Sequence, residues 1–198
     1  MTENKTERRA PKGDVFTTFF EYFELLIYAV VIALVMITFF FRIGFVDGSS
    51  MENTMDDGDC YLVSNLFYQP KRGDIVVFEP DPEIIGTKAG IKEVLYVKRV
   101  IAVGGDHVKI KVNEDKTTSV FINGAEIDEP YLDLWQVTDP RNGTDTLEID
   151  VPEGQFFALG DNRIVSKDSR LIGCIDNRRL IGRVLFRFSP LSKIGVVQ

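Results

Sequence analysis

Residues 94–103 read VLYVKRVIAV, the longest of the short apolar runs that recur along the polar part of the chain. Val, Ile and Phe dominate these runs, and Gly, Asp, Asn and Pro fill the gaps, which is typical of strands joined by turns. Asn123-Gly124 is a hairpin signal. The other runs are CYLVS at 60–64, DIVVF at 74–78, HVKIKV at 107–112, SVFI at 119–122, QFFAL at 155–159 and LIGRVLFRF at 180–188. We therefore predict a mainly β fold of antiparallel sheets in a compact, barrel-like arrangement.

A different kind of apolar segment lies near the N-terminus. Residues 25–41, LLIYAVVIALVMITFFF, contain no charge, and apolar flanks extend the stretch further on both sides. At a rise of about 1.5 Å per residue, such a helix reaches about 30 Å, the thickness of the bilayer hydrocarbon. The segment exceeds the hydrophobic region of a signal peptide, and no small-residue cleavage site follows it. We predict one transmembrane helix at residues 22–43 that acts as a retained signal anchor.

The residues before and after this segment differ in character. Residues 1–15 are polar and charged, and we place the N-terminal tail at residues 1–21. The basic residues before the span indicate a cytoplasmic N-terminus. Residues 44–198 are long enough for one ordinary domain. Within that domain, residues 107–155 are expected to form little more than hairpins and loops.

Composition excludes several classes of protein. The net charge is −7, from 23 basic and 30 acidic residues, and no basic stripe occurs, which argues against a nucleic-acid partner. Cys60 and Cys174 lie far apart without a CxxC pair, which excludes a zinc ribbon and favours two free thiols over a bridge. His107 is the only histidine, so a multi-histidine metal site is excluded.

Two residues have the chemistry of a catalytic pair. Lys98 lies inside the apolar strand pattern, and burial there lowers the pKa of an amine until it acts as a general base. Ser50 lies in a Gly-Ser-Ser-Met turn, and a serine hydroxyl needs such a base before it attacks a carbonyl. A Ser–Lys dyad is a known substitute for a histidine triad. Taken one at a time, an edge-strand lysine and an ordinary loop serine remain the simpler interpretations.

Three stretches together resemble the conserved boxes of the type I signal peptidases, which are membrane-bound serine proteases. They are GSSMENT at 48–54, followed by Gly58-Asp59; YVKR at 96–99, followed by Gly105-Asp106; and GDNRIVSKDSRLIG at 160–173. The order of the boxes, their spacing and the single preceding helix all agree with that family. The resemblance covers residues 22–190, and within the family the chain is most similar to the Gram-positive type.

The resemblance implies a role for each matched residue. Ser50 corresponds to the nucleophile, Lys98 to the general base and Ser166 to a serine that orients the lysine. Three further positions correspond to residues that brace the site through ion pairs and hydrogen bonds: Asp161, Asp168 and Arg170. No metal or cofactor is implied.

Two positions near the serine depart from the family pattern. The backbone N–H of Ser50 is the expected oxyanion donor, but Gly48 replaces the serine hydroxyl that some relatives add. Asn53 stands where the family has proline, which predicts a less rigid turn. The change at Asn53 removes no catalytic group, whereas Gly48 leaves that second oxyanion donor missing.

The resemblance also implies a function and a location. Residues 44–198 would be an extracytoplasmic catalytic domain, with 107–155 a reduced second subdomain, anchored in the cell membrane by a single helix. The expected substrates are translocated preproteins with small residues at the first and third positions before the cut. The lipid bilayer and a nearby secretion translocon are the other expected partners.

Three alternatives remain open at the level of sequence. A self-cleaving repressor-type protease shares a Ser–Lys core, but it expects a DNA-binding head and an Ala-Gly site before the serine, whereas Ala89-Gly90 follows Ser50. A membrane-tethered β domain that binds partners without catalysis is the second. The third is a triad built on His107, which lies outside every matched box.

Overall fold

The computed structural model describes residues 15–86, 94–133 and 135–197. The chain divides into two compact units, Met1–Phe39 and Phe40–Gln198. The first unit is built on helix α1 (Val15–Phe40). Among the described residues, Phe16–Phe40 is the one helix long and apolar enough to cross a membrane, and its span is not buried. This confirms the prediction of one apolar N-terminal helix.

The bounds of α1 differ from the predicted span of 22–43. The helix begins earlier, at Val15, because Glu21 and Glu24 are good helix formers and do not interrupt it. It ends at Phe40, since residues 41–45 leave the helix and pair with a strand of the second unit. Hydropathy alone does not distinguish a short apolar strand, such as FRIGF at residues 41–45, from the last turns of an apolar helix.

The second unit is mainly β, as predicted. Its strands are β1 (Phe41–Phe45), β2 (Cys60–Ser64), β3 (Ile75–Phe78), β4 (Tyr96–Val103), β5 (His107–Val112), β6 (Thr118–Ile122), β7 (Ala125–Glu126), β8 (Thr146–Asp150), β9 (Gln155–Leu159), β10 (Ile175–Asp176) and β11 (Leu180–Ser189). Two short α-helices, α2 (Pro82–Ile85) and α3 (Ser169–Ile172), and 3-10 turns at Asn177–Arg179 and Leu191–Lys193 connect them.

These strands form two antiparallel sheets. The larger has the order β1-β2-β11-β3-β4-β9-β10, and the smaller has the order β7-β6-β5-β8. The small sheet lies within the segment 107–155 that was expected as a reduced subdomain. The β6–β7 hairpin turns at Asn123 and Gly124, whose φ angles of 54° and 82° are those of a type I′ turn. The hairpin predicted from this dipeptide is therefore confirmed.

Strand β4 lies inside the larger sheet, paired with β3 on one side and with β9 on the other. Val97, Val100 and Ile101 belong to three different apolar clusters of the core. Burying one such side chain contributes roughly 1.5–3 kcal/mol relative to exposure. The same strand carries two cations, Lys98 and Arg99, each only 3% exposed. Because a buried charge is costly without compensation, both side chains need partners or must lose their charge.

The turn after β1 carries Ser50. Backbone bonds from Val46 N to the Asp59 carbonyl and from Gly58 N to the Val46 carbonyl, both 2.9 Å, close its base. Asn53 lies within the turn with φ of 81°. Proline is locked near −65°, so the turn here has a backbone that a proline at this position does not allow. Asparagine tolerates this left-handed conformation, which explains why asparagine is compatible with the turn at position 53.

We expect Asn53→Pro to destabilise the second unit by more than about 1 kcal/mol, because proline is incompatible with the native φ. Asn53→Gly, which accepts positive φ without strain, is the matched control and should stay within about 0.5 kcal/mol of wild type. Urea denaturation of the detergent-solubilised chain measures both. A proline variant as stable as wild type would contradict this account of the turn.

Candidate active site

The structure brings Ser50 and Lys98 together from distant parts of the chain. The Nζ of Lys98 donates a hydrogen bond of 2.7 Å to Ser50 Oγ and a second, of 2.8 Å, to the carbonyl of Val97. Ser50 comes from the turn after β1, and Lys98 comes from the middle of β4. The separation lies within the range expected between a nucleophile and the base that activates it.

The environment of Lys98 favours the neutral amine. Burial lowers the pKa of Lys98 to about 8, although the carboxylates of Asp168 and Asp161 act in the opposite direction. The Nζ also lies 5.1 Å from the ring centroid of Tyr96. With this pKa, roughly one amine in ten is neutral at pH 7, against roughly one in 2,500 for an unperturbed lysine. The site therefore supplies a base at neutral pH that a surface lysine does not.

Asp168 and Arg170 form a buried ion pair beneath the site. Arg170 donates from Nε and Nη2 to the two carboxylate oxygens of Asp168, at 2.8 and 2.7 Å. Asp168 also accepts from the N–H of Gly160 at 3.1 Å and caps α3. Burial on its own would raise the pKa of Asp168, but Arg170 lowers it below its ordinary value. The carboxylate therefore stays charged despite full burial.

Asp161 joins three segments of the site. It accepts a bidentate pair of hydrogen bonds from Arg99, at 2.9 and 2.7 Å, and one of 2.5 Å from Thr54 Oγ1. Thr54 belongs to the serine turn, and Arg99 follows the lysine in β4. Arg99 was not among the sequence candidates. The signal was its position beside Lys98 in a buried strand, where a second cation requires a carboxylate.

Ser166 lies in the same loop and is fully buried. Its Oγ lies near the Asp168 carboxylate and helps to lower the pKa of that group. Its geometry falls outside that of a hydrogen bond with every described neighbour, Lys98 included. The direct bond to the lysine that the resemblance implies is therefore not formed within the described residues.

Gly160 is the point of closest approach between this loop and the serine turn. Asn162 N donates to the carbonyl of Ser50 at 3.1 Å, which holds the two backbones together. A Cβ atom at Gly160 would overlap both Ser166 Oγ and the Ser50 carbonyl oxygen. The glycine of the third box is thus required by packing and not by its backbone angles.

A groove of about 560 Å³ opens in front of the pair, lined by residues 44–51, Tyr61, residues 94–98, Val165 and Lys167. Ser50 N–H makes no hydrogen bond to any described residue, so it is available to an atom bound in the groove. The N–H of Gly48 is instead bound to Asp57 Oδ1 at 2.8 Å. Gly48 supplies no side-chain donor here, as the sequence indicated.

The remaining candidates lie elsewhere. His107 is on β5 of the small sheet, where its Nδ1 lies 2.7 Å from Asp150 Oδ1. Cys60 and Cys174 are both free thiols. Within residues 15–86, 94–133 and 135–197, no cluster of three or more His, Cys, Asp or Glu side chains is arranged to hold a metal ion.

Comparison with known proteins gives consistent matches. The family described as signal peptidase, peptidase S26, matches residues 19–189. The signal peptidase I of Bacillus licheniformis is 36% identical over 202 aligned positions, which cover 98% of each chain. The signal peptidase IB of Staphylococcus aureus is 36% identical over 164 positions, 75% of this chain and 78% of that protein. A crystal structure of a signal peptidase I from Enterococcus faecalis has 29% identity and a TM-score of 0.44, and covers 59% of this chain and 97% of that one.

The family match and the two curated relatives confirm the resemblance that the three sequence boxes predicted. The family match extends over most of the chain, from within α1 to the end of β11. The Bacillus relative aligns along nearly the whole length of both proteins. The chain belongs to the signal peptidase family, peptidase S26.

Proposed function

We propose that this chain is a serine endopeptidase that removes N-terminal signal peptides from preproteins, with Ser50 as nucleophile and Lys98 as general base. The observation that carries the proposal is the 2.7 Å hydrogen bond between Lys98 Nζ and Ser50 Oγ, made by a lysine whose pKa burial lowers to about 8. Membership of the signal peptidase family supports the reaction class.

The reaction follows from this geometry. Ser50 Oγ attacks the scissile carbonyl carbon, and the neutral Lys98 amine takes the hydroxyl proton. The negative oxygen of the tetrahedral intermediate accepts a hydrogen bond from the free Ser50 N–H. The intermediate collapses to an ester on Ser50, and Lys98 returns the proton to the leaving amine. Water then attacks the ester with Lys98 again as base, which releases the signal peptide and restores the hydroxyl.

The groove is suited to an extended peptide with small side chains. Residues 44–48 and 94–98 line it, and β1 is an edge strand of the larger sheet, which suits it to pair with an added strand. Gly44 lies directly opposite Tyr61 in the β1–β2 pair, and a Cβ there would come within 2.6 Å of the tyrosine ring. The ring therefore fills the space that a side chain at position 44 would occupy, and Met51 is buried beside it. Shallow pockets of this kind select small residues before the cut.

The buried loop residues hold the pair in place. We assign Asp161, Asp168 and Arg170 a supporting role, since they form the ion pairs beneath the lysine and do not contact the serine hydroxyl. Ser166 packs against Gly160, and its hydroxyl forms no hydrogen bond within the described residues. From the family resemblance we assign it to the orientation of Lys98.

The N-terminal helix gives this activity a location. We assign the segment that precedes α1 to a cytoplasmic tail and α1 to a single-pass anchor in the cell membrane. The catalytic domain then faces the extracytoplasmic side, where translocated preproteins emerge beside the bilayer and the secretion translocon. Anchoring keeps the enzyme in the plane of its substrates.

Ser50→Ala and Lys98→Ala should each lower the rate of cleavage of a preprotein with an Ala-x-Ala site by at least about a thousandfold. The first removes the nucleophile and the second removes the base. The assay uses detergent-solubilised full-length chain, with folding checked by thermal unfolding. His107→Ala is the matched control and should cleave at the wild-type rate. A folded Lys98→Ala variant with full activity would refute the dyad, and loss in His107→Ala would revive the histidine alternative.

The rate constant kcat/KM should rise with pH up to the pKa of Lys98, about 8, and level off above it. Only the neutral amine accepts the serine proton, so activity is present above this pKa and falls about tenfold per pH unit below it. The pH–rate profile with a short peptide substrate measures the midpoint. A profile that is flat from pH 6 to pH 9 would show that no lysine of this kind limits the reaction.

Gly160→Ala should lower kcat by about a hundredfold, because the added methyl group pushes the Ser50 backbone and Ser166 apart. Gly195→Ala is the matched control, since a Cβ at Gly195 meets no atom within 4 Å and the backbone has no positive φ. The comparison fails to support the packing argument if both variants retain wild-type kcat.

A further inference from the structure

The segment that connects β7 to β8 sends side chains from the small subdomain towards the site. The structure describes residues 127–133 and 135–145 of this segment. Ile127 N is bound to the Val120 carbonyl at 2.9 Å, and Thr138 N to Thr118 Oγ1 at 2.8 Å, which fasten the segment to the small sheet. Glu129 and Tyr131 project from it onto two arginines that none of the proposed catalytic steps uses.

The first of these arginines is Arg163, whose side chain is fully buried. Its Nε donates to the Gly160 carbonyl at 3.0 Å, and its Nη1 donates to Glu129 Oε2 at 3.0 Å and to Thr138 Oγ1 at 2.6 Å. A second bond joins Nη2 to Glu129 Oε1. Burial alone would lower the pKa of Arg163, but Glu129 raises it above its ordinary value. Glu129 is thus the carboxylate that keeps this buried charge in place.

The second arginine is Arg99, the partner of Asp161. Its Cζ lies 3.9 Å from the ring centroid of Tyr131, which is a close cation–π contact. The Tyr131 hydroxyl donates to Glu129 Oε1 at 2.6 Å. Burial raises the pKa of Tyr131, so the hydroxyl remains a donor at every working pH. One tyrosine therefore links the Arg99–Asp161 pair to the Glu129–Arg163 pair.

We propose that Glu129 and Tyr131 are positioning residues, through which the small subdomain holds Arg99 and Arg163 and so fixes the field and geometry around Lys98. The proposal rests on the proposed function of the Ser50–Lys98 pair. Neither residue touches the serine or the lysine. They act through Arg163 on the carbonyl of Gly160, where the loop meets Ser50, and through Arg99 on Asp161, one of two carboxylates that raise the pKa of Lys98.

The direction of the electrostatic effect follows from the charges present. The groups around the Lys98 amine are the carboxylates of Asp161 and Asp168, the phenol of Tyr96 and, across the groove, Asp47 and Lys167. Replacing Glu129 by Gln removes a negative charge and leaves Arg163 with Asp161 as its remaining acidic neighbour. The field at Lys98 becomes more positive, so the ammonium is disfavoured and the pH midpoint moves down.

The test compares Glu129→Gln, Glu129→Asp and Tyr131→Phe with wild type, using full-length chain and a preprotein with an Ala-x-Ala site. We expect kcat to fall about tenfold in Glu129→Gln, with KM changed by less than about twofold, because the contacts to substrate remain. Its pH midpoint should shift downward. Glu129→Asp keeps the charge and should restore the midpoint. Tyr131→Phe deletes only one hydroxyl and should give a smaller loss of kcat.

The matched control is Glu148→Gln, which removes a carboxylate from the same subdomain. Glu148 pairs with Lys109 at 2.6 Å on the exposed surface of the small sheet. The Glu148→Gln variant should have the same kcat and the same pH midpoint as wild type. If Glu129→Gln does not fold, Tyr131→Phe decides the question, since it keeps the ring on Arg99. Wild-type kcat and midpoint in the folded variants would overturn the proposal, as would equal effects in the control.

A second readout separates this proposal from the proposed function. Competitive labelling of amines with acetic anhydride at a series of pH values, followed by mass spectrometry, measures the pKa of Lys98 without any substrate. A downward shift in Glu129→Gln, absent in Glu148→Gln, supports the positioning role even if wild type fails to cleave preproteins. Cleavage by wild type together with identical labelling profiles in all variants would leave the peptidase standing and refute the role of Glu129.

Discussion

The pairing of buried charges is the constraint on which this site depends. Three arginines are buried around the loop that follows β9. Each pairs with its own carboxylate: Arg99 with Asp161, Arg163 with Glu129 and Arg170 with Asp168. Lys98 is buried to a similar degree but forms no ion pair within the described residues. Carboxylates already engaged by arginine compensate a fourth cation only weakly, so desolvation prevails and Lys98 is the cation whose pKa falls.

The same pairing ties the larger sheet to the small subdomain beside it. Asp161 connects β4, the serine turn and the loop after β9, so these three segments hold their mutual positions only when the large sheet is complete. Arg163 connects that loop to the segment after β7. The small sheet is therefore part of the support of the site, although it supplies none of the reacting atoms. Reducing this subdomain further would remove the partner of a buried charge.

Much of this structure is predictable from the sequence, for local reasons. Apolar runs rich in Val and Ile gave β2–β6, β9 and β11 within one or two residues, and Asn123-Gly124 gave the hairpin. Ser50 and Lys98 were found because the serine turn and the lysine strand matched the boxes of a known family, since each residue taken alone favoured a simpler interpretation. β1 and β8 escaped prediction for opposite reasons, since FRIGF continues an apolar helix and TLEID is half polar. Glu129 and Tyr131 contact partners far along the chain, which no periodicity or spacing reveals. Arg99 had a signal in its position beside Lys98, but the sequence does not identify its carboxylate.

The arrangement of Gly44 and Tyr61 has a consequence for how the groove can vary. The two residues lie directly opposite each other on β1 and β2, and the ring occupies the volume above the glycine. Both residues line the groove, so the ring limits the space there. A larger residue at position 44 requires the Tyr61 ring to move or position 61 to become smaller. The space in the groove beside β1 and β2 therefore depends on the side chains at positions 44 and 61 together, and not on either one alone.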